Sequence, residues 1–292
     1  MSRFMVAGFI QIETIVKVDE LPVPYFQFHS VPDMIDTNVG GCGYNESMAL
    51  TWLGNEVDFM SMVGKGLNTN KVYEQLVSSG VKLKMDYVLP RLESMPSSVI
   101  LYHNGKKQTF EDVKDIRTVP YDYELFERQI QDKDMVLISS CNFCRPVIEL
   151  AEKYHKPLAV NVRSMRKEKV VQKGDFLKAA DILYISDDEL DGDPYDCIRM
   201  CRKEFDPEIV IIGIGSKGVI LYTKKDNSIL EYKPVKTNEI VNTIGAGNAL
   251  FSAFLHYYVK TGDAHEAIKN ALLFASYKIG FLGTSNGFMT ED

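Results

Sequence analysis

The chain has 292 residues, of which 45% are hydrophobic and 25% are charged. A chain of this length and composition can bury a full hydrophobic core, as one large α/β domain or two small ones. Acidic residues outnumber basic residues by 40 to 33, which gives a formal net charge of −7. Nucleic acids and anionic membranes select basic surfaces, so we expect neither of them as a partner.

The first apolar run, residues 4–10, is short and has no small-residue cleavage site, so it is interpreted as a strand and not as a signal peptide. No stretch reaches the roughly 18 apolar residues of a membrane span. Five cysteines in such a chain indicate reduced thiols and a cytoplasmic protein. The spacings Cys141-x-x-Cys144 and Cys197-x-x-x-Cys201 are compatible with zinc, but a strand–helix turn and one helix face explain them more simply.

From about residue 57 onward, apolar runs of strand length alternate with amphipathic stretches of helix length. The strand-like runs are residues 135–138, 157–162, 182–185 and 209–213. Helices are predicted over about 147–154, 187–204, 245–258 and 264–279. Continuous apolar strands between helices are buried on both faces, which predicts a three-layer α/β/α fold around a mostly parallel sheet.

Two segments, about 13–39 and 82–113, interrupt this alternation. Both contain alternating polar and apolar residues, and the second has the turn Asn104–Gly105 between two such runs, which is a strong hairpin signal. We therefore predict a small β-sheet lid beside the α/β body. Successive strand residues face opposite ways, so only one of Tyr102 and His103 can point into a cleft under the lid.

A first glycine motif, Gly40-Gly41-Cys42-Gly43-Tyr44-Asn45, immediately precedes a predicted helix. Glycines let a backbone approach a ligand closely. The carboxamide of Asn45 both donates and accepts hydrogen bonds, which suits the paired hydroxyl groups of a sugar. A generic glycine turn before a helix would have the same sequence, so this motif alone leaves both interpretations open.

A second motif, Asn242-Thr243-Ile244-Gly245-Ala246-Gly247-Asn248, leads directly into an apolar helix. Small residues at a helix start expose unpaired N–H groups and the positive end of the helix dipole to an anion. A phosphoryl group in transit needs such a cradle, because its charge is spread over several oxygens. The motif is not a Walker loop, since no Gly-Lys-Ser/Thr follows it. The first strand also lacks the Gly-x-Gly-x-x-Gly of a Rossmann dehydrogenase.

Together the two motifs resemble the N-terminal and C-terminal signatures of the ribokinase-like (PfkB) carbohydrate kinases. Gly54 and Gly64 follow the first motif at that family's offsets, and the second resembles Asp-Thr-x-Gly-Ala-Gly-Asp. The resemblance covers residues 4–290 and implies a single ribokinase-like domain over residues 1–292. It also implies transfer of the γ-phosphate of ATP, with Mg²⁺, to a hydroxyl of a sugar or nucleoside. Edge strands of such lids often pair between subunits, so a homodimer through the lid is expected.

The resemblance also implies roles for individual residues. Substrate binding is implied for Glu13, Gly40, Gly41, Asn45 and Arg163. Nucleotide binding is implied for Ser186, Gly215, Gly218 and Thr243. An anion hole is implied for Gly245, Ala246 and Gly247, and a water-mediated contact to Mg²⁺ for Glu189. A surface arginine and a helix-start acid are the plainer interpretations of Arg163 and Glu189.

The chain departs from the family pattern at the position where an aspartate removes the hydroxyl proton, because Asn248 stands there. A carboxamide does not accept a proton at physiological pH. Further family residues are replaced by Asn242, Glu13, Ser186, Ala159 and Gly213. Two hypotheses follow: a working kinase with a compensating base or slow chemistry, and a catalytically silent protein that binds a sugar or nucleotide for sensing or scaffolding.

Overall fold

The structure is a computed structural model that describes residues 1–30, 32–163 and 165–291, without the side chains of residues 67, 68, 167–169 and 189. The strands are β1 (Arg3–Ala7), β2 (Gln11–Lys17), β3 (Ile35–Gly40), β4 (Glu56–Met62), β5 (Val88–Leu89), β6 (Ser97–His103), β7 (Lys106–Asp112), β8 (Met135–Ser139), β9 (Leu158–Val162), β10 (Ile182–Ser186), β11 (Ile209–Gly213), β12 (Val219–Thr223) and β13 (Ser228–Tyr232). The helices are α1 (Cys42–Trp52), α2 (Leu67–Ser79), α3 (Tyr123–Ile130), α4 (Arg145–Lys153), α5 (Lys167–Gln172), α6 (Gly174–Ala179), α7 (Pro194–Glu204), α8 (Ala246–Thr261) and α9 (Ala264–Lys278).

A nine-stranded sheet forms the body, in the order β13-β12-β11-β10-β9-β8-β1-β4-β5. All neighbours from β11 to β5 are parallel, and β12 and β13 extend the edge in antiparallel fashion. The carboxyl ends of the parallel strands therefore lie along one edge of the sheet, where ligands bind in folds of this kind. The prediction of a mostly parallel central sheet is confirmed.

Helices cover both faces of this sheet because its central strands are apolar on both sides. Within β1, Phe4 and Val6 pack against the layer that contains α1, α2, α8 and α9. Met5 and Ala7 pack against the opposite layer, which contains α3, α4, α6 and α7. The result is the three-layer α/β/α arrangement that the apolar runs predict.

A second sheet of four strands, in the order β3-β2-β6-β7, forms the lid. Its strands β6 and β7 are an antiparallel hairpin whose turn residues, Asn104 and Gly105, have φ angles of 44° and 81°. Both angles lie in the left-handed region that an Asn-Gly turn accommodates. Of the second predicted lid segment, residues 88–89 belong to the body instead, because β5 pairs with β4.

The helix predicted from about residue 187 begins later, at Pro194. Asp187–Glu189 forms a 3-10 turn, and the Asp193 side chain caps α7 by accepting a hydrogen bond from the Tyr195 amide at 2.8 Å. A capping aspartate followed by proline is a strong helix start, so it sets the boundary here. All five cysteines are free thiols, as expected. Among the described residues no helix is long and apolar enough to span a membrane.

Gly64 lies where the body packs closely against the segment that leads into the lid. A Cβ atom at this position would collide with the backbone of Ser94 and Met95, which leads into β6. We expect Gly64→Ala to lower the free energy of unfolding by about 1–3 kcal/mol, because neither backbone can move freely. Urea denaturation followed by circular dichroism measures it.

Gly174→Ala is the matched control, since Gly174 lies at the start of α6 and a Cβ there would meet nothing within 4 Å. This variant should be as stable as the unmodified protein or slightly more stable, because alanine favours a helix. Equal stability of Gly64→Ala and Gly174→Ala would contradict the close approach described above.

Candidate functional site

The first glycine motif lies where β1, β3 and α1 meet. Gly41 has a φ angle of 100°, and a Cβ there would lie 2.6 Å from the Phe9 carbonyl oxygen. A Cβ at Gly43 would lie 2.7 Å from the Cα of Gly8, just after β1. These two glycines are therefore required by backbone packing, and this packing brings the start of α1 to the carboxyl end of the sheet.

The carboxylate of Glu13 sits against this motif and organises it. Glu13 Oε1 accepts hydrogen bonds from the Gly41 amide at 3.1 Å and from Gln11 Nε2 at 2.9 Å. Gly40 has no side chain to compete for the space, since a Cβ there would overlap the Glu13 carboxyl group. The substitution of glutamate for the family's aspartate thus leaves a carboxyl group against the first glycine motif, in a region that we call the pocket.

Several buried polar atoms in the first glycine motif and in the segments packed against it have no hydrogen-bond partner among the described residues. They are Gln11 Oε1, Glu13 Oε2, Asn45 Oδ1, Ser139 Oγ and Thr284 Oγ1. A buried polar atom without a partner costs about 1–3 kcal/mol, so a group of them calls for a ligand or ordered water. Hydroxyl groups of a small polar molecule would satisfy both the donors and the acceptors.

The second glycine motif forms the start of α8, as predicted. Gly245 caps this 16-residue helix with a φ angle of 82°, and no side chain caps its N-terminus. Residues 245–248 are all partly accessible. We call residues 245–247 the anion turn, because the helix start presents free amides and the positive end of the dipole.

The anion turn and the pocket of the first motif are joined by Thr284. A Cβ at Gly245 would lie 2.5 Å from the Thr284 carbonyl oxygen, and one at Gly40 would lie 2.7 Å from Thr284 Oγ1. Thr284 is itself buried. One residue thus touches both loops, so the two motifs, about 200 residues apart in sequence, lie next to each other in a region that we call the cleft.

A second connection runs through Asn161 at the end of β9. Its Nδ2 donates to Asn248 Oδ1 at 3.1 Å and also to the carboxyl group of Glu46 on α1. Asn248 is therefore held in place as a hydrogen-bond acceptor by a neighbouring amide. Because its side chain is a carboxamide, it can form a hydrogen bond with a hydroxyl group but does not take its proton.

Glu46 is the carboxyl group that this network brings beside Asn248. It is fully buried, and burial raises its pKa to about 8, although the hydrogen bond from Asn161 opposes the shift. At neutral pH the folded protein therefore holds Glu46 mostly in its protonated form. A protonated carboxyl group is not a general base, so its raised pKa makes Glu46 a poor substitute for the missing aspartate at pH 7.

Tyr184 accounts for Gly213, which stands where the family pattern has a threonine. Its ring stacks on Phe251, with centroids 5.2 Å apart. Its hydroxyl group lies between two glycines: a Cβ at Gly213 would be 2.8 Å from that oxygen, and one at Gly247 would collide with it. The hydroxyl of Tyr184 occupies the space that a threonine at position 213 would use, and it touches the anion turn.

The remaining residues predicted for nucleotide binding lie at the same edge of the sheet. Ser186 ends β10, and its Oγ accepts from the Asp188 amide at 3.4 Å. Gly215 begins the 3-10 turn after β11 and Gly218 follows it, with φ angles of 58° and 106°. The Thr243 carbonyl accepts from the Ala246 amide at 3.2 Å, which closes the turn before α8.

The lid reaches over this edge through two ion pairs from β7. Glu111 pairs with Arg163, just beyond β9, and Lys107 Nζ lies 2.7 Å from Asp188 Oδ2, just beyond β10. Tyr102 packs with Ile15 and Ile244 beneath the lid. His103 points elsewhere and contacts the Val18 carbonyl through Nδ1, at 2.9 Å. Tyr102 is therefore the lid residue that faces the cleft.

The side chain of Glu189, predicted to organise Mg²⁺, lies outside the described residues. Its backbone ends the 3-10 turn that follows β10, where Asp187 and Asp188 present exposed carboxylates. Within the described part of the chain, no group of three potential metal ligands is present. Mg²⁺ bound to a nucleotide is commonly held by one or two carboxylates together with phosphates and water, and this acidic turn fits that donor set.

A surface cavity of about 340 Å³ lies elsewhere, lined by Trp52, Asn55, His256, Lys260 and Glu291 among others. Asn55 precedes β4, so this cavity lies at the amino end of the parallel strands. It contains none of the predicted site residues. The convergence of buried polar atoms, and not cavity size, identifies the candidate site.

Sequence reasoning did not identify Glu46, Ser139, Lys278 or Thr284. Lys278 is fully buried and donates to the carbonyl oxygens of Ile244 and Gly283. A charged residue inside an apolar helical pattern was the available signal for Glu46 and Lys278, because such residues are rarely buried without a partner. No local signal marked Ser139 and Thr284, whose positions depend on the folded chain.

The family model described as "pfkB family carbohydrate kinase" matches residues 2–291. A deoxyribokinase of Salmonella typhi is 23% identical over 266 residues, covering 85% of this chain and 84% of that protein. An ATP-dependent ribose-1-phosphate kinase of Halopiger xanaduensis is 23% identical over 271 residues, covering 93% and 90%. The structure of Arabidopsis thaliana ribokinase complexed with ribose and ATP superposes with a TM-score of 0.80, at 17% identity over 99% of this chain and 96% of that one.

The raised pKa of Glu46 predicts a pH dependence of stability. From the ordinary pKa of 4.5 up to about 8, the unfolded chain releases this proton while the folded protein retains it. Stability should therefore fall as pH rises through this window, by at most about 1.4 kcal/mol per pH unit from this group. We expect Glu46→Gln to remove that part of the slope in urea unfolding measured between pH 5 and pH 8.

Glu74→Gln changes an exposed acid on α2 in the same chemical way and serves as the control. The change of its free energy of unfolding with pH should match that of the unmodified protein. Identical slopes for all three proteins would show that Glu46 ionises freely in the folded state, contrary to its burial.

Proposed function

Because the chain belongs to the pfkB family of carbohydrate kinases, we propose that it acts as a single domain that transfers the γ-phosphate of ATP to a hydroxyl group of a sugar or nucleoside. The observation that supports this proposal is the position of Thr284 between Gly40 and Gly245. An anion held at the anion turn and a hydroxyl group held beside Glu13 and Asn45 would meet across that residue. Phosphoryl transfer depends mainly on such alignment.

In the proposed reaction the acceptor hydroxyl oxygen attacks the γ-phosphorus. A new O–P bond forms, the bond between the γ-phosphorus and the β,γ-bridging oxygen breaks, and ADP leaves with that electron pair. The amides of Gly245 and Gly247 hold the phosphoryl oxygens as charge shifts between them. The acceptor proton passes to an oxygen of the transferred phosphoryl group and then to solvent, because Asn248 and the protonated Glu46 do not accept it. This makes the chemistry slow.

The nucleotide would lie along the ends of β10 and β11, beside Ser186, Gly215, Gly218 and Thr243. Mg²⁺, when bound, neutralises charge on the phosphate oxygens. The residues that would hold it are Asp187 and Glu189, directly or through water.

We also propose that Arg163 leaves Glu111 to contact an anionic group of substrate or phosphate, since this exposed pair is weak. The acidic charge and the absence of a predicted membrane span support a cytoplasmic enzyme with small-molecule partners.

A second candidate is a catalytically silent protein that binds a sugar or nucleotide for sensing or scaffolding. Asn248 is the observation that favours it, because loss of a positioned base typically costs about 10²- to 10⁴-fold in rate. The two candidates differ in one measurable property. Phosphate transfer by the unmodified protein to any sugar or nucleoside would exclude the silent candidate.

We predict that Asn248→Asp raises kcat for phosphate transfer by roughly 100-fold, because it restores a proton acceptor to a site already aligned. Transfer from ATP is measured at pH 7 against a panel of sugars and nucleosides, and ATP binding with Mg²⁺ is measured by calorimetry. ATP should bind equally well to both proteins.

Two control variants accompany this test. Asn227→Asp makes the same chemical change in the turn after β12, and Glu46→Gln replaces a protonated carboxyl group with its neutral isostere. Both should keep kcat within about threefold of the unmodified protein. A 100-fold loss in Glu46→Gln would instead identify Glu46 as the base, and absence of ATP binding in every variant would refute the kinase proposal.

We further propose that the lid mediates a homodimer. Val99 and Phe110 are cross-strand partners on its outer face, 41% and 56% exposed, and β7 is an edge strand. Exposed apolar side chains on an edge strand favour pairing with a second sheet.

Sedimentation equilibrium should give twice the chain mass for the unmodified protein, and Phe110→Glu should give the monomer mass. Val77→Glu, on the exposed face of α2, should remain dimeric; a monomeric unmodified protein would contradict the proposal.

A further inference from the structure

Lys278, in the last turn of α9, is a buried charge that the proposed chemistry does not use. Its side chain has no exposed surface. Its Nζ donates hydrogen bonds to two backbone carbonyl oxygens, that of Ile244 and, at 2.7 Å, that of Gly283. Burying an ammonium group away from water is costly, so its retention calls for a specific role.

Both carbonyl groups belong to loops that build the cleft. Ile244 directly precedes the anion turn, and Gly283 directly precedes Thr284, which contacts Gly245 and Gly40. One ammonium group therefore ties the anion turn to the segment that joins it to the substrate pocket. The amide of the same Ile244 donates to Asn242 Oδ1 at 2.7 Å, so the peptide groups on both sides of this residue are fixed.

The negative charge of Glu13 partly stabilises the buried charge of Lys278. Burial lowers its pKa to about 8, and the negative charge of Glu13 opposes that shift. At neutral pH the group remains mostly an ammonium ion. A fixed cation one residue behind the amides of the anion turn adds to the field that attracts a phosphate.

We propose that the Lys278 ammonium is a built-in positioning cation for phosphate transfer: it fixes the Ile244 carbonyl, and so the direction of the amides at residues 245–247, and it supplies positive charge to that turn. This proposal rests on the proposed kinase function. Lys278 acts through Ile244 and Gly283 and does not itself touch the substrate. Its loss should therefore lower kcat more than it raises the KM of the acceptor.

The test compares Lys278→Met with Lys278→Ala. Both should lower kcat by about 10- to 100-fold, while the acceptor KM changes less than about threefold. Lys278→Ala leaves a space lined by carbonyl oxygens that a small cation can occupy. Ammonium or potassium ions at about 100 mM should restore its kcat at least fivefold, while tetramethylammonium, which is too large, should not. Lys278→Met has no such space and should not respond.

Lys133→Met is the control for loss of a buried lysine. Lys133 pairs with Asp58 at 2.8 Å, just before β8 and so at the amino end of the sheet, away from the cleft. This variant should lose stability but keep kcat within about twofold. An unchanged kcat in Lys278→Met would overturn the proposal, as would equal recovery of Lys278→Ala in all three salts.

A second measurement separates this proposal from the kinase proposal. Binding of inorganic phosphate is followed by calorimetry, which needs no turnover. Lys278→Met should bind phosphate at least tenfold more weakly than both the unmodified protein and Lys133→Met, even if none of them transfers phosphate. Equal binding by all three proteins would overturn the role of Lys278 and leave the kinase proposal standing.

If neither Lys278 variant folds in buffer, refolding becomes the readout. Lys278→Ala should then regain cooperative unfolding in ammonium chloride but not in tetramethylammonium chloride. Failure to fold in every salt, or folding in both, would overturn the proposal, because a cation-sized space lined by carbonyl oxygens discriminates between these ions.

Discussion

The direction of the anion turn is set by how Ile244 is held on both sides. The Ile244 amide donates to Asn242 Oδ1, and the Ile244 carbonyl oxygen accepts from Lys278. The next residue, Gly245, contacts Thr284 in a left-handed conformation. An amide cradle stabilises an anion only when its donors are fixed before the ligand arrives. The alignment of the pocket with the phosphate site follows from this constraint, since Thr284 also contacts Gly40.

Several departures from the family signature are accommodated by neighbouring residues. Asn242 retains an acceptor oxygen and still receives the Ile244 amide, so the loss of charge there does not open the turn. At position 213 the hydroxyl of Tyr184 fills the space of a missing threonine side chain. At position 159 alanine replaces the family's aspartate. The carboxyl group of Glu46, on α1, reaches the same face of β9 and accepts a hydrogen bond there from Asn161. The substitution at position 248 is different, because no described neighbour supplies an ionised carboxylate at neutral pH.

The sheet, the helical layers and the two glycine loops were predictable because each depends on local sequence. Apolar runs determine strands that are buried on both faces, and Asn104–Gly105 determines a hairpin. The helix predicted from about residue 187 starts too early, because Asp193 and Pro194 are a capping residue and a first helical residue that set the start of α7. What the pattern could not give was the identity of residues that meet through space. Glu46 approaches Asn248 only because Asn161 bridges them, and Tyr102 was distinguished from His103 only by its packing under Ile244.

The most direct test of the shared cleft is a crystal structure with a non-hydrolysable ATP analogue. We predict that its γ-phosphate accepts hydrogen bonds, at about 2.7–3.2 Å, from the amides of Gly245 and Gly247. We also predict that this phosphate faces the pocket formed by Glu13 and Asn45, with room for an acceptor hydroxyl about 3–3.5 Å from the phosphorus. A triphosphate bound away from the start of α8, or one separated from Asn45 by the closed loop of Thr284, would contradict it.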